Sequence, residues 1–487
     1  MEFSTLNGYK VKDKKAIRYY DTVNDMKIDS TLKTGMHVKT KGYYSANDNG
    51  SAEYIIKDSS TGYYESLTNS LVAELKIENK INVKQLGAYG DGIHDDTSII
   101  QSALNFGENS TVYFPKGEYL ITTTLNFKCN LTLEQNAKIT TNNTELEYLL
   151  LFNSEESATS LESLIKGKVI SGGILDGKGK AQKLLGTSNY MGLYIQNMRF
   201  ENPKNFGLVT RVVGSLSAEL HVDDCYFYNN YDLYPNKPIG IFNNGGDNIF
   251  TNITMFDMFI GIHAYSGYFE NIHPWLSKSD LIIGSIAFKC EGNASLIGCV
   301  ADTYEKSVFC LGANLIRMVN CGVFYNTTVY NSTVAGTNPP YVLYVSTPDA
   351  TIVSNNLSVI NNVSGTTFIN SLINGYYNDT HFVETESVNK NYYVKNGFHN
   401  AISNLSANTD VRTLESGSYT VSNVALTNFI PNIGETYGEL VVYKNRTFTT
   451  LVYFVHNATG DIYTCVGANG GVWRSWFKLP ASTAVTS

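Results

Sequence analysis

Residues 193–200 read LYIQNMRF and residues 220–227 read LHVDDCYF, with apolar positions alternating on both sides of Asn197 and Asp224. The same frame returns as NIFTNITM around Asn252, GYFENIHP around Asn271, SLIGCVA around Gly298, IRMVNCGV around Asn320 and ATIVSNNLSV around Asn355. The separations are 27, 28, 19, 27, 22 and 35 residues. An alternation of period two on both sides of the aligned residue rejects a helix and requires strands. Irregular coils of this length belong to a right-handed parallel β-helix with loops inserted at its corners. The expected fold class is therefore all-β.

If the aligned residues stack, positions two before, one after and three after point inward, and their neighbours point out. The inward column one residue after reads Met198, Cys225, Ile253, Ile272, Cys299 and Cys321, apolar throughout. Cys299 and Cys321 then fall on adjacent coils, and a buried thiol ladder is preferred to a disulfide or metal pair. The outward positions carry Asp223 and Glu270, then Arg199 with Glu201, Tyr226 with Tyr228, Thr254 with Phe256, His273 with Trp275, and finally Asp302. Rings beside carboxylates on one face suit a sugar, whose apolar faces stack on aromatics while two carboxyls flank the scissile bond. Asp223, Glu270 and Asp302 are the candidate catalytic acids. Glu201, Tyr226, Tyr228, Phe256, His273 and Trp275 are the candidate substrate contacts. Asp223 and Glu270, two coils apart, would have backbones about 9.6 Å apart, within reach of inverting hydrolysis. The competing readings are a face packed on a neighbouring subunit, or acids that are simply solvated. Asp176 in Gly172-Gly173-Ile174-Leu175-Asp176-Gly177 reads first as a turn, with an acid of a sugar hydrolase as the alternative, and His221 as a solvated histidine or a base.

Working outward, Ile81 to Ile121 contains Asp95-Asp96-Thr97 as helix caps and Ile99, Ile100, Ala103 and Leu104 at helical spacing. The spacing predicts a short helix near 95–106, a lid on the end of the solenoid. Asp91, Asp95 and Asp96 lack calcium-loop spacing, so no metal is expected there. Residues 1–80 hold short alternating runs, a small β-module, and 81–400 are expected to form the β-helix. Beyond 400 the runs acquire hairpin spacing, which predicts an antiparallel β-domain over 401–480 with Trp473 and Trp476 in its core or on a sugar patch.

The chain has 487 residues, too many for one ordinary core unless one unit is an elongated repeat. Forty glycines, 34 tyrosines, about fifty asparagines and only 10 prolines suit many short strands with tight corners. Thirty-six basic against 44 acidic residues give a formal charge of −8, which argues against nucleic acid as a partner. No apolar run approaches the roughly 20 residues of a membrane span, and the first residues lack the apolar stretch of a signal peptide. Seven cysteines without a CxxC pair are expected to be reduced thiols. No cofactor motif stands out.

Leu86-Gly87-Ala88-Tyr89-Gly90-Asp91-Gly92, with Asp95-Asp96-Thr97, Ile100-Gln101, Ala103 and Val112 to Tyr119, resembles the entry segment of the pectate-lyase-like β-helix superfamily. Asp21 to Lys27, Leu32 to Gly35 and Lys41 to Tyr44 resemble the short module that precedes such β-helices in phage tail proteins. Asp410 to Leu414, Gly417 to Tyr419, Tyr437 to Leu440 and Trp473 to Trp476 resemble the knob-like domain that ends many phage fibres. The resemblance implies a homotrimeric tailspike of a virion, assembled in the host cytoplasm and acting at the host cell surface. Its N-terminal module would join other tail proteins. Its β-helix would bind and depolymerise, by hydrolysis, a bacterial cell-wall glycan or teichoic acid. A non-enzymatic receptor-binding fibre and a polysaccharide lyase share the scaffold, since fold alone does not decide function.

Overall fold

Asn197, Asp224, Asn252, Asn271, Gly298 and Asn320 all have left-handed backbones, with φ between 51° and 60°. Asparagine and glycine enter this region at least cost, which explains why they recur where the chain must turn between two strands. The computed structural model describes residues 17–77, 79–153, 160–211 and 217–311, the strands Phe3–Leu6 and Tyr9–Lys12, and separate stretches between 315 and 478. By mutual contacts the chain divides into two units, Met1–Lys289 with Cys299–Glu305, and Cys290–Gly298 with Lys306–Ser487.

In the first unit the coils stack in parallel and in register. Gln196 lies opposite Asp223, Asp223 opposite Thr251, and Thr251 opposite Glu270. The aligned positions therefore form a column, as the repeats predict. Inside it, Met198, Cys225, Ile253 and Ile272 are all buried. Phe200 stacks on Phe227 at 4.5 Å, and Phe250 on Phe269 at 5.1 Å. Like side chains pile up because each coil repeats the pleat of the one below. A second parallel sheet in this unit runs through Leu125–Phe127, Tyr148–Phe152, Lys183–Thr187, Phe206–Thr210, Ile239–Asn243 and Ile260–Ala264.

The helix Thr97–Phe106 buries Ile100, Ala103 and Leu104 and packs on the strand Leu125–Phe127. Its capping differs from the expectation in one residue. Asp96 makes no cap bond; its buried carboxylate accepts from the backbone N–H groups of Tyr89 and Gly90 at 2.6 and 2.9 Å. Asp95 accepts instead from the Thr97 N–H at 3.0 Å. Asp96 thus ties the glycine-rich entry loop to the helix. Ahead of it, Arg18–Tyr20, His37–Thr40, Ala52–Lys57, Tyr64–Ser66 and Val72–Leu75 form one sheet around Val38, Tyr54 and Ile56.

In the second unit Ala294–Ile297, Leu315–Val319, Thr351–Asn355 and Asn374–Asn378 are parallel neighbours. Here the repeat alignment slips by one: Asn355 lies opposite Val319, not opposite Asn320. Farther on, Gly417–Ser422, Tyr437–Lys444, Phe448–Val455 and Ile462–Ala468 pair antiparallel. Val411, Val421, Leu440, Val442, Leu451 and Tyr453 are the core of this sheet. Trp473 and Trp476 pack on that core, and the Trp476 indole donates to the Asn428 carbonyl at 3.2 Å. All seven cysteines are buried.

Side chains at the corner add a ladder to the backbone turn. Asn271 donates to the Asn252 side-chain oxygen at 2.8 Å, and Asn252 donates to Asp223 at 2.9 Å. Asn252→Gly keeps the left-handed residue and loses only the ladder, whereas Asn252→Ala loses both. The alanine variant should be the less stable of the two by about 1 kcal/mol. Unfolding rates measured at one fixed denaturant concentration check this order, and equal rates for the two variants would refute it.

Candidate functional site

Past the left-handed corner the chain stays extended, and the third residue after it points inward. Leu175, Phe200, Phe227 and Met255 fill the interior, and their flanking residues face out in two columns. The registers define these columns. One runs Lys138, Ile174, Arg199, Tyr226, Thr254, His273. The other runs Thr140, Asp176, Glu201, Tyr228, Phe256, Trp275, Asp302. Glu201, Tyr226, Tyr228, Phe256, His273, Trp275 and Asp302 are thereby gathered on one face, joined by Asp176 and Lys138.

At one end of the face two carboxylates are direct register partners. Asp176 and Glu201 sit on neighbouring coils, with backbones about 4.8 Å apart, and are only 5% and 8% exposed. Asp176 is held from three sides. Lys138 Nζ lies 3.1 Å from its Oδ2, and the Asn202 amide and the Lys178 N–H each donate to its Oδ1 at 3.0 Å. Arg199 pairs with Glu201. Burial nevertheless pushes the Glu201 pKa up, and the Asp176 charge adds to this against Arg199 and Lys138. Burial also opposes the Lys138 ammonium, but Asp176, Glu201 and Glu118 outweigh it and raise its pKa. The end result is a pair of adjacent carboxyls, each beside its own cation, of which Glu201 holds its proton longer than usual. A carboxyl that keeps its proton beside a second carboxyl is what acid–base chemistry on a glycosidic bond requires.

The middle of the face is aromatic. Tyr226 and Tyr228 lie 6.3 Å apart, Tyr228 stacks on Phe256 at 5.5 Å, and Phe256 meets Trp275 edge-on at 4.8 Å. The Arg199 guanidinium stands 5.8 Å from the Tyr226 ring. These rings are half-buried and stack partly on one another. At the far end His273 Nε2 lies 3.9 Å from Asp302 Oδ2, and the Thr303 hydroxyl donates to Asp302. Burial raises the Asp302 pKa.

Asp223 and Glu270 lie elsewhere, on the column before the corner, two coils apart with Thr251 between them. Asp223 accepts from the Thr251 hydroxyl at 2.5 Å and from Asn252, and Glu270 accepts from the Tyr268 hydroxyl at 2.9 Å. His221 shares that face and stacks on Tyr194 at 4.8 Å. Sequence reasoning did not connect Lys138 or Lys178 with the site. The available signal was the triplet Ile174-Leu175-Asp176, which repeats the outward-inward-outward order of Arg199-Phe200-Glu201. Among the described residues no cluster of three or more metal-ligating side chains is present.

The raised pKa of Glu201 has a consequence for stability. A group whose pKa rises on folding stabilises fully below the unfolded carboxylate range, and that contribution is lost as pH rises through the folded pKa. Glu201→Gln should therefore match the wild type at low pH, exceed its stability increasingly as pH rises from the unfolded carboxylate range through the raised pKa, and keep a constant lead above it. Thermal unfolding of both proteins across a pH series checks this. A constant difference at every pH would refute it.

Residues 80–273 match the family described as rhamnogalacturonase A/epimerase, pectate lyase-like. Among solved structures, the tailspike protein of Acinetobacter phage vB_ApiP_P1 superposes with a TM-score of 0.52 at 14% identity, covering 93% of this chain and 90% of that one. The enzymatically active domain of bacteriophage CBA120 tailspike protein 4 gives 0.50 at 13% identity, covering 91% of this chain and 66% of that one. A plasmin and fibronectin-binding protein A of Streptococcus pneumoniae is 36% identical over 83 residues, 16% of this chain. The chain spans only 12% of the length of that curated relative. With the stacked coils, the entry segment and these matches together, the chain carries a pectate-lyase-like parallel β-helix.

Proposed function

We propose that this protein is a phage tailspike that binds a bacterial surface polysaccharide or teichoic acid along the two outward columns and cleaves it by hydrolysis at Asp176 and Glu201. The observation that carries the reading is the buried carboxyl pair on neighbouring coils at one end of an aromatic face. Glu201 gives its proton to the glycosidic oxygen as the bond to the anomeric carbon breaks. Asp176, oriented by Lys138, Asn202 and the Lys178 N–H, attacks that carbon. Water then releases the sugar and returns the proton to Glu201. Neighbouring coils favour the roughly 5–5.5 Å carboxyl separation of retaining enzymes over the wider inverting gap. The likeness to tailspike proteins supports the biological setting, in which the N-terminal sheet joins the virion.

A second reading has its own observation. Arg199 beside Tyr226 offers a cation and a phenol, the parts an elimination on a uronate needs. The test is incubation of the protein with isolated surface polysaccharides and wall teichoic acids, followed by polymer sizing. New reducing ends establish hydrolysis, ultraviolet-absorbing ends establish a lyase, and binding without shortening establishes a receptor-binding fibre. Asp176→Asn and Glu201→Gln should each lower cleavage by about 10²–10⁴-fold while binding persists. If Asp223→Asn or Glu270→Gln causes that loss instead, the reacting pair lies before the corner.

Self-association belongs to the same reading. On the second sheet of the first unit, Phe206, Ile239 and Ile260 stack in one outward column, and Val209, Phe242 and His263 in the next. Outward columns in which five of the six side chains are apolar suit burial against copies of the same chain. Light scattering should give three times the 53.9 kDa chain mass. A mass of one chain would overturn the trimer.

A further inference from the structure

Two ring nitrogens on the aromatic face make no hydrogen bond among the described residues. Trp275 Nε1 and His273 Nε2 are both buried at the atom and unbonded, and they belong to the same strand, Gly267–Trp275. A buried N–H without an acceptor is costly, so natural proteins keep one chiefly where something else binds. On the next coil Asp302 lies directly opposite Trp275, with its Oδ2 turned towards His273. Thr303 occupies its other oxygen.

We propose that Trp275, His273 and Asp302 form a subsite for the acetamido group of an N-acetylated amino sugar. The proposal rests on the glycan reading above and names a substrate class for it. An acetamido group presents a carbonyl acceptor and an N–H donor on opposite edges of one plane. The indole N–H is a donor only, and an ionised carboxylate is an acceptor only. Partners on neighbouring coils therefore fit the two edges of an amide, whereas a hydroxyl concentrates both roles on one atom. Phe256, edge-on to Trp275 at 4.8 Å, supplies an apolar wall for the methyl group. A donated amide hydrogen also favours the ionised form of Asp302, which burial otherwise disfavours. From Glu201 the column passes Tyr228, Phe256 and Trp275 before reaching Asp302, four coil steps or roughly 19 Å. The subsite thus reads a sugar several units away from the cleaved bond.

Saturation-transfer NMR on the full-length protein tests this with methyl N-acetylglucosaminide and methyl N-acetylgalactosaminide against the parent glucoside and galactoside. The acetyl methyl should receive the strongest saturation. Trp275→Phe keeps a ring but removes the N–H, and should weaken binding of the acetylated sugars about 5–10-fold, to the level of the parents. Equal binding of acetylated and parent sugars by the wild type would overturn the subsite even if the variant failed to fold. An unchanged affinity in a folded Trp275→Phe would do the same. In either case, retained binding of a surface polymer leaves the glycan reading standing. Loss of all sugar and polymer binding overturns both.

Discussion

The structure depends on one backbone constraint: a left-handed residue at the same corner of successive coils, Asn197, Asp224, Asn252 and Asn271, each stacked on its counterpart. That residue turns the chain between two strands without breaking the coil-to-coil hydrogen bonds. Once it is fixed, the pleat assigns every neighbour to the inside or the outside. Met198, Cys225, Ile253 and Ile272 are buried because they come one residue after it. Glu201, Tyr228, Phe256, Trp275 and Asp302 share a column because they come four residues after it. The interior and the candidate site are thus two consequences of the same turn.

The fold was legible because this constraint is chemical. Asparagine and glycine tolerate the left-handed region and most residues do not, so the turn marks itself in the sequence. The alignment slipped at Asn355, where two asparagines follow one another and either could take the place. Asp95 and Asp96 show a similar limit. Adjacent aspartates are indistinguishable as caps until the entry loop is folded, and one of them then serves the loop instead.

The candidate site was legible in its membership and less so in its grouping. Aromatic and acidic residues at fixed offsets from the corner were enough to find seven members of the face. Asp176 was harder, because its coil turns at Gly172-Gly173 and lacks the marking asparagine. Lys138 was harder still. It precedes Asp176 by 38 residues, and their ion pair forms only because one full coil brings the chain back onto the neighbouring rung. Asp223 and Glu270 show the converse problem. They occupy one column as expected, yet the corner separates that column from the rings. Sequence offset gives the column, and only the turn angle tells which columns face the same way.

The two outward columns also make the molecule a scale marked at equal intervals. Lengthening the solenoid by one whole coil would insert a new mark between existing ones and leave their chemistry intact. Removing one residue from a coil would do the opposite, exchanging greasy and polar faces along its whole length. Coil duplication is therefore a cheap route to a longer recognised segment, while small deletions within strands are closed to drift. Length variation should accordingly collect in the loops, and the 19- to 28-residue spacings between Asn197 and Gly298 already show it there.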